Sequence, residues 1–457
     1  MAEVLKAARD GWTGARTRAG RAESAGGAAG GAGGGSARGD AAGGGASDPK
    51  VVATVAEIIG AVRERGDAAV RELSARFDGW EPESFRLTDE QIDACVAQVS
   101  EQALEDLRWC QEQVRTFALA QRASLQDVEV ETQPGVRLGH RHVPIARVGA
   151  YIPGGRYPMI ASAAMSILTA KAAGVEHVIA CTPPLDGAPP ALTVAAMQLA
   201  GADEIHVLGG VQAVAAMAVG TETIGRVDFL AGPGNAYVAE AKRQLFGEVG
   251  IDLFAGPTEI LVVADETADP EIVAADLLGQ AEHGPTSPAA LICTDEGVAR
   301  AALAEIERQL QTLPTADVAG PAWRDYGEVH LVADREEAAA LADAFAYEHV
   351  EILTAEPRWF LDAMRQYGAL FLGEGTTVAY GDKAIGTNHV LPTAGAARYT
   401  GGLWVGKFLK TVTYQECDPA ASARIGEICA RQCRLEHFEG HARSCDVRVR
   451  KYAGSLV

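Results

Sequence analysis

Four short stretches carry side chains that handle protons and metal ions. In "LLGQAEHGPTSP" (277–288), Gln280 and His283 stand three apart where a helix is expected to end. Residues i and i+3 share one side of a helix, so an oxygen and a nitrogen donor there can hold one cation. Glutamine is a weak ligand, and the pair needs stronger partners from elsewhere. "YGDKAIGTNHVLPT" (380–393) supplies Asp382 and His389 in a long polar loop, the kind of segment that carries function. "AYEHVEILTA" (346–355) sets Glu348 beside His349 at the entrance to a strand. Such a pair offers two bases of different proton affinity. Strand alternation would send the two side chains apart, so they reach one site only if the chain is not yet regular there. "RLEHFEGHARS" (434–444) offers Glu436 and His441, which converge only with a bend near Gly440. Each stretch alone also reads as a helix cap, a solvated helix end or surface decoration. Together, glutamine, aspartate and histidines make a donor set suited to Zn²⁺, with a histidine base elsewhere.

These residues need a scaffold, and the hydrophobic pattern supplies one. From Arg147, short β-like runs ("RVGAYI", "HVIAC", "EIHVLG", "VDFLAG") alternate with helical stretches at 160–173, 190–200 and 211–219. A second series follows in "EILVVAD", "AALICTD", "EVHLVAD", "VEILTA" and "GALFLGE". Two such series predict an α/β fold with two Rossmann-like, doubly wound parallel sheets. Glycine-rich turns end three of the first strands: "GAYIPGGRYP" (149–158), "LGGVQAVAAM" (208–217) and "AGPGNAYVAEAK" (231–242). A ligand backbone can approach closely there, and a nucleotide or dinucleotide is expected, although none of the turns is GxGxxG.

Helices flank this region. Val51, Val55, Ile58, Ile59 and Val62 share one face of a predicted helix, and Thr88 reads as the N-cap of another. After Gly401 the pattern turns helical again and closes on "DVRVRKY", read as an edge strand. Residues 1–48 are dominated by Gly, Ala and Ser and predict a flexible tail, with "MAEVLKAARDGW" at its start as a short docking helix.

Composition sets outer limits. The 457 residues exceed what one core usually holds. A formal net charge of −21 repels phosphate backbones, so no nucleic-acid partner is expected. Eight cysteines are scattered without a CxxC pair, which points to a reducing compartment, the cytoplasm. Cys429 and Cys433, one helical turn apart, suit either a metal or two small core positions. The longest apolar stretch, "MIASAAMSILTAKAAG", is short and interrupted by Lys171, so no membrane span is expected, and no secretory leader is seen.

Seven segments, in order and spacing, resemble the histidinol dehydrogenase family: "VGAYIPGG", "GGVQAVAAMAVGTET", "GPGNAYVAEAKRQ", "AGPTEILVVAD", "LLGQAEHGP", "EHVEI" and "GTNHVLPT". The resemblance implies a homodimeric alcohol oxidase using zinc and NAD, with a C-terminal segment that crosses to the partner subunit. It implies zinc at Gln280, His283, Asp382 and His441, the last from the other chain. It implies NAD contacts at Tyr151, Gln212 and Asn235 and a catalytic pair at Glu348 and His349. Thr258, His349, Asp382, His389 and Glu436 fall on substrate-side positions. The expected division is a tail (1–48), a discontinuous α/β domain with zinc and catalytic residues (49–148 plus 258–400), an NAD-binding domain (149–257) and a dimer-crossing segment (401–457).

The sequence departs from the histidine-making pattern at informative places. "HGPTSP" stands for "HGxDSQ", Tyr347 for the proline of "PEH", Thr258 for the serine of "AGPSE", and Val378 for a glutamate four residues before Asp382. Losing carboxylates disfavours the cationic substrate histidinol and favours a neutral or anionic one. Lys383 and "ARYTGGLWVGKF", with Arg398, Trp404 and Lys407, resemble the branch that oxidises 2,3-dihydroxypropane-1-sulfonate to sulfolactate. Thr286, Lys383 and Arg398 are the expected sulfonate partners. Histidinol oxidation is the alternative, and a non-catalytic metabolite-binding paralogue a second one.

Overall fold

A computed structural model describes residues 3–8, 48–154, 158–253 and 256–453. Its strands, in chain order, are β1 (Glu3–Lys6), β2 (Val128–Gln133), β3 (Val136–Pro144), β4 (Arg147–Tyr151), β5 (His177–Thr182), β6 (Glu204–Val207) and β7 (Phe229–Ala231). Then come β8 (Gly250–Ile251), β9 (Ile260–Ala264), β10 (Ala289–Cys293), β11 (Gly327–Leu331), β12 (His349–Leu353), β13 (Ala369–Leu372) and β14 (Leu409–Cys417).

The two predicted series form two sheets with the same winding. The first is ordered β6-β5-β4-β7-β8, and the second, apart from one edge strand, β11-β10-β9-β12-β13. All pairings within these five-strand sets are parallel. In each, the chain starts at the centre, winds to one side, then crosses back to the other. The reversal falls between β4 and β7 in the first sheet and between β9 and β12 in the second. Such switch points are where a doubly wound sheet leaves a crevice. β9, β10 and β12 are buried along their whole length, as strands covered by helices on both faces must be.

The flanking helices form where the apolar spacing places them. Helix Pro49–Arg65 buries Val55, Ile58, Ile59 and Val62, and Thr88 caps helix Asp89–Val96 in a reciprocal capping box with Gln91. No helix among the described residues is long and apolar enough to cross a membrane.

Three segments differ from expectation. The start of the chain is a strand: β1 adds antiparallel to β11, and Lys6 Nζ donates to the carbonyls of Trp323 (2.8 Å) and Gly327 (2.5 Å). The strand covers the N–H and C=O groups of β11 that would otherwise form an open edge. Most of the Gly/Ala-rich tail, 9–47, lies outside the described residues. "DVRVRKY" is not an edge strand but the end of helix Glu439–Tyr452, which packs on helix Pro419–Leu435. Its polar–apolar alternation is too short to outweigh an exposed helix of Arg and Lys formers. Ahead of these helices, the region expected to be helical instead opens with the nine-residue strand β14. It joins β3 and β2 in an antiparallel sheet whose β2 and β14 side chains are almost all exposed.

Gly232 ends β7 with φ +116°, and a Cβ there would strike the Tyr151 carbonyl on the neighbouring strand. Gly232→Ala therefore meets both a backbone and a packing conflict. It is expected to lower unfolding free energy by about 2–3 kcal/mol, measured by urea unfolding.

Candidate active site

The amino edge of the second sheet, at its switch point, gathers the side chains singled out in the sequence. Thr258 and Glu259 lead into β9, and Glu348 and His349 lead into β12 alongside it. The register pairs His349 with Ile260, so the two entrances sit side by side. Helix Pro270–Ala281 runs back from the carboxyl edge and delivers Gln280 in its last turn. His283 follows in a tighter turn, its N–H donating to the Gln280 carbonyl (3.2 Å). Helix Val378–Lys383 returns after β13 and brings Asp382.

These groups form a directed chain of hydrogen bonds. The Gln280 amide nitrogen donates to the Thr258 hydroxyl, and that hydroxyl donates to Glu348 Oε2 (2.5 Å). The Glu259 N–H donates to the same carboxylate oxygen (3.2 Å). Glu348 and His349 do reach one site: Oε2 and Nδ1 lie 3.5 Å apart. His349 Nδ1 is 3.2 Å from the Glu259 carbonyl and 3.3 Å from the Gln280 amide nitrogen. Nδ1 thus has an acceptor on one side and a donor on the other; bonding to the Glu259 carbonyl requires the Nδ1–H tautomer, which leaves the lone pair on Nε2. Nε2 is buried, has no hydrogen-bond partner, and points toward Asp382 Oδ1 at 3.8 Å.

Burial sets the protonation states. Desolvation lowers the His349 pKa to about 4, opposed by Asp382, so the ring is neutral at physiological pH. Glu348 is pushed well above the usual carboxylate range, again by desolvation, with the Thr258 hydrogen bond opposing. Desolvation also lowers the proton affinity of His283 and His389, with Asp382 opposing in both cases. The imidazoles are therefore held in the neutral form that metals and proton transfer require.

His389 joins the site to the first sheet. Its Nδ1 lies 3.0 Å from the Asp382 carbonyl and its Nε2 3.0 Å from the Ser162 hydroxyl. Beside it, Asn388 Nδ2 donates to the Met165 carbonyl (2.9 Å). Met165 lies in the π-helical turn Ala164–Leu168, whose wider winding exposes a carbonyl to an outside donor.

The carboxyl edge of the first sheet collects the three glycine-turn residues. Tyr151 ends β4 and its hydroxyl accepts from the Gly210 N–H (3.1 Å). Gln212, in helix Gly210–Val219, donates to Asp78 Oδ2 (3.1 Å). Asn235 caps helix Ala236–Leu245, accepting from the N–H groups of Tyr237 and Val238, and is itself exposed.

Other predicted residues stand apart. His441 is exposed in helix Glu439–Tyr452, its ring 5.4 Å from that of Phe438. Among the described residues of one chain, its nitrogens do not converge with His283 and Asp382. Glu436, also exposed, caps the preceding helix, and the turn between the helices is made at His437 (φ +64°), not at Gly440. Lys383 is half-exposed with Nζ 3.7 Å from Asp382 Oδ2. Thr286 is exposed in the turn after His283. The Arg398 guanidinium donates to Gln366 Oε1 (2.5 Å) and to the Ala344 carbonyl (2.6 Å).

Sequence reasoning missed a second layer. Asp276, one turn before Gln280, faces Glu351, two residues after His349. Thr377 donates to Asp276 Oδ1 (2.9 Å) and the Val378 N–H to Glu351 Oε1 (2.8 Å). Asp276 Oδ2 and Glu351 Oε2 have no other partner, and burial raises the proton affinity of both carboxyls. This carboxyl pair ties together the three elements that carry Gln280, His349 and Asp382. The inward position of Glu351 in a fully buried strand was its only sequence signal. Ser162 and Asp78 gave none.

Two doubly wound parallel sheets, with a cluster of neutral imidazoles and carboxylates at the edge of one, make up this chain, an NAD-dependent oxidoreductase acting on CH–OH groups. The chain belongs to the histidinol dehydrogenase family, whose profile it matches over residues 44–449. It is 64% identical over 406 residues (89% of this chain, 96% of the relative) to a "Histidinol dehydrogenase homolog" of Shouchella clausii. It is 49% identical over 411 residues (89% and 94%) to the "Sulfopropanediol 3-dehydrogenase" of Ruegeria pomeroyi. The crystal structure of histidinol dehydrogenase from Elizabethkingia anophelis superposes with a TM-score of 0.84 at 32% identity, covering 89% of this chain and 93% of that one.

Burial raises the Glu351 pKa to about 9, with Asp276 adding to the effect. The folded state then holds a proton that the unfolded chain releases above the ordinary carboxylate range. Stability must fall as pH rises from the ordinary value toward about 9. In Glu351→Gln this fall is expected to be shallower than in the wild type, read from melting temperatures across that range.

Proposed function

We propose that this enzyme is a zinc- and NAD-dependent four-electron alcohol dehydrogenase, oxidising an anionic diol of the 2,3-dihydroxypropane-1-sulfonate type to the carboxylate. The observation that carries the reading is His349: neutral, buried, with its Nε2 lone pair unpartnered and aimed into the cluster. The donor set also fits a cation. The hydrogen-bond chain uses the Gln280 amide nitrogen and leaves its carbonyl oxygen, and the neutral His283 stands near Asp382. Bound there, zinc would hold and polarise the substrate oxygen, and NAD⁺ at the carboxyl edge of the first sheet would take the hydride.

His349 Nε2 takes the alcohol proton, and its Nδ1–H stays fixed on the Glu259 carbonyl throughout. Loss of the first hydride gives the aldehyde. Glu348, a stronger base than an ordinary carboxylate, accepts a proton from water as it adds to that aldehyde. Loss of a second hydride from the hydrate yields the carboxylate, so two NAD⁺ are consumed per diol. Thr258 and the Glu259 N–H orient the Glu348 carboxylate for this step.

The fourth zinc ligand is assigned to the partner's His441, with Glu436 also crossing. The C-terminal helix pair supports this, since Ile428, Leu435, Phe438 and Val447 are all exposed on it, Leu435 to 75%. Residues 149–257 are read as the NAD-binding unit. Lys383 supports an anionic substrate because its half-exposed ammonium stands beside Asp382 without being enclosed by it. Arg398, engaged by Gln366 and Ala344, is the weaker of the two cations for that role. Eight free thiols support work in a reducing compartment, the cytoplasm.

With the sulfonate diol, two NADH per diol are expected; turnover of histidinol alone would overturn the substrate assignment. Lys383→Ala is expected to raise KM for the sulfonate about tenfold, equivalent to about 1.4 kcal/mol, with little change in kcat. Glu348→Gln is expected to retain oxidation of the alcohol while slowing oxidation of supplied aldehyde by about 10²–10⁴-fold. In the wild type the aldehyde step should gain rate as pH rises through a value above the ordinary carboxylate range, because Glu348 must lose its proton to act.

A further inference from the structure

The C-terminal helix pair carries a second constellation that plays no part in the chemistry above. Cys429 and Cys433 lie one turn apart on helix Pro419–Leu435, and Cys445 faces them from helix Glu439–Tyr452. The three sulfurs lie within 4.8 Å of one another, and Cys429 and Cys433 are 4.0 Å apart. Small residues bring the helices this close. A Cβ on Gly426 would sit 2.8 Å from Val449 Cγ2 and 3.3 Å from the Cys445 carbonyl oxygen, and Ala430 and Ala442 are buried. The close crossing therefore fixes Cys445 opposite the other two thiols.

Three thiolates around a zinc-class cation, each at about 2.3 Å, stand about 3.8 Å apart in a tetrahedral arrangement. The sulfurs need close in by no more than roughly 1 Å to reach that spacing, well within what thiol rotamers supply. Two small core positions would not explain a third cysteine converging from another helix. We propose that Cys429, Cys433 and Cys445 form a three-thiolate site for a thiophilic d¹⁰ cation of the zinc class. The site clamps the two helices within one subunit, and water fills the fourth position. Binding converts three thiols to thiolates and releases three protons, leaving the metal-thiolate unit with one net negative charge. Without the cation, burial first and then Cys429 raise the Cys433 and Cys445 thiols, Cys445 to about 11. Occupancy therefore strengthens as pH rises.

The proposal is independent of the substrate assignment and uses sulfur where the active site uses nitrogen and oxygen. That difference makes it testable in the whole enzyme. Reduced full-length protein, stripped by chelation, is titrated anaerobically with Co²⁺. A thiolate-to-cobalt charge-transfer band in the near ultraviolet is expected, saturating by two equivalents per chain in the wild type and by one in Asp382→Asn. The band should persist in Asp382→Asn, which disables the nitrogen–oxygen site, and be lost in Cys445→Ser. In unaltered protein, Cd²⁺ should protect Cys429, Cys433 and Cys445 from alkylation, mapped by mass spectrometry, while the exposed Cys417 stays reactive. This second readout needs no variant to fold. Absence of the band in the wild type, its survival in Cys445→Ser, or equal alkylation of all four thiols with and without Cd²⁺ would each overturn the proposal.

Discussion

The site depends on one constraint: the buried polar groups at the entrances to β9 and β12 must satisfy one another. The Glu259 carbonyl can only accept, so His349 must present a proton at Nδ1. The Gln280 amide must then donate to Thr258, and Thr258 must donate to Glu348. Reversing any one bond would strand a buried donor or acceptor, at a cost of about 1–3 kcal/mol. With the proton on Nδ1, the His349 lone pair faces the pocket; the chain of hydrogen bonds uses the Gln280 nitrogen and not its carbonyl oxygen, and holds Glu348 through Oε2 alone.

The architecture explains why such a network sits where it does. Two sheets of identical winding gather their polar groups at opposite edges. At the carboxyl edge of the first, Tyr151 ends β4 while Gln212 and Asn235 open the helices after β6 and β7. At the amino edge of the second, helices Pro270–Ala281 and Val378–Lys383 finish after running back across the sheet. His389 and Asn388 span the gap by bonding to Ser162 and Met165. Asp276 and Glu351, each bonded to the Thr377–Val378 turn, hold the second sheet's three contributors in register from behind.

Much of this was legible in the sequence, for physical reasons. Unbroken apolar runs such as "EILVVAD" and "AALICTD" are strands buried on both faces, and those elements formed as read. Gln280, Glu348, His349 and Asp382 stood out by donor type and spacing taken together, since each stretch alone also read as a cap, a loop or surface decoration. What failed was tertiary. β1 is four residues long and is defined only by the edge it covers. β2, β3 and β14 have little buried face, so their residues carry no strong apolar alternation to read. The turn at His437 could not be anticipated, since a non-glycine residue at φ +64° is held by its surroundings. Asp276 and Glu351 were invisible as a pair because 75 positions separate residues that meet only in the fold.

The central claim is that burial and the Glu259 carbonyl fix His349 as a neutral imidazole with its proton on Nδ1. Nitrogen-15 NMR of metal-free protein, with His349 assigned through a His349→Gln variant, measures this directly. The account predicts Nδ1–H and a bare Nε2 from pH 8 down to near pH 5, with protonation only toward about 4. An imidazolium signal at pH 7, or a neutral ring protonated on Nε2, would contradict it.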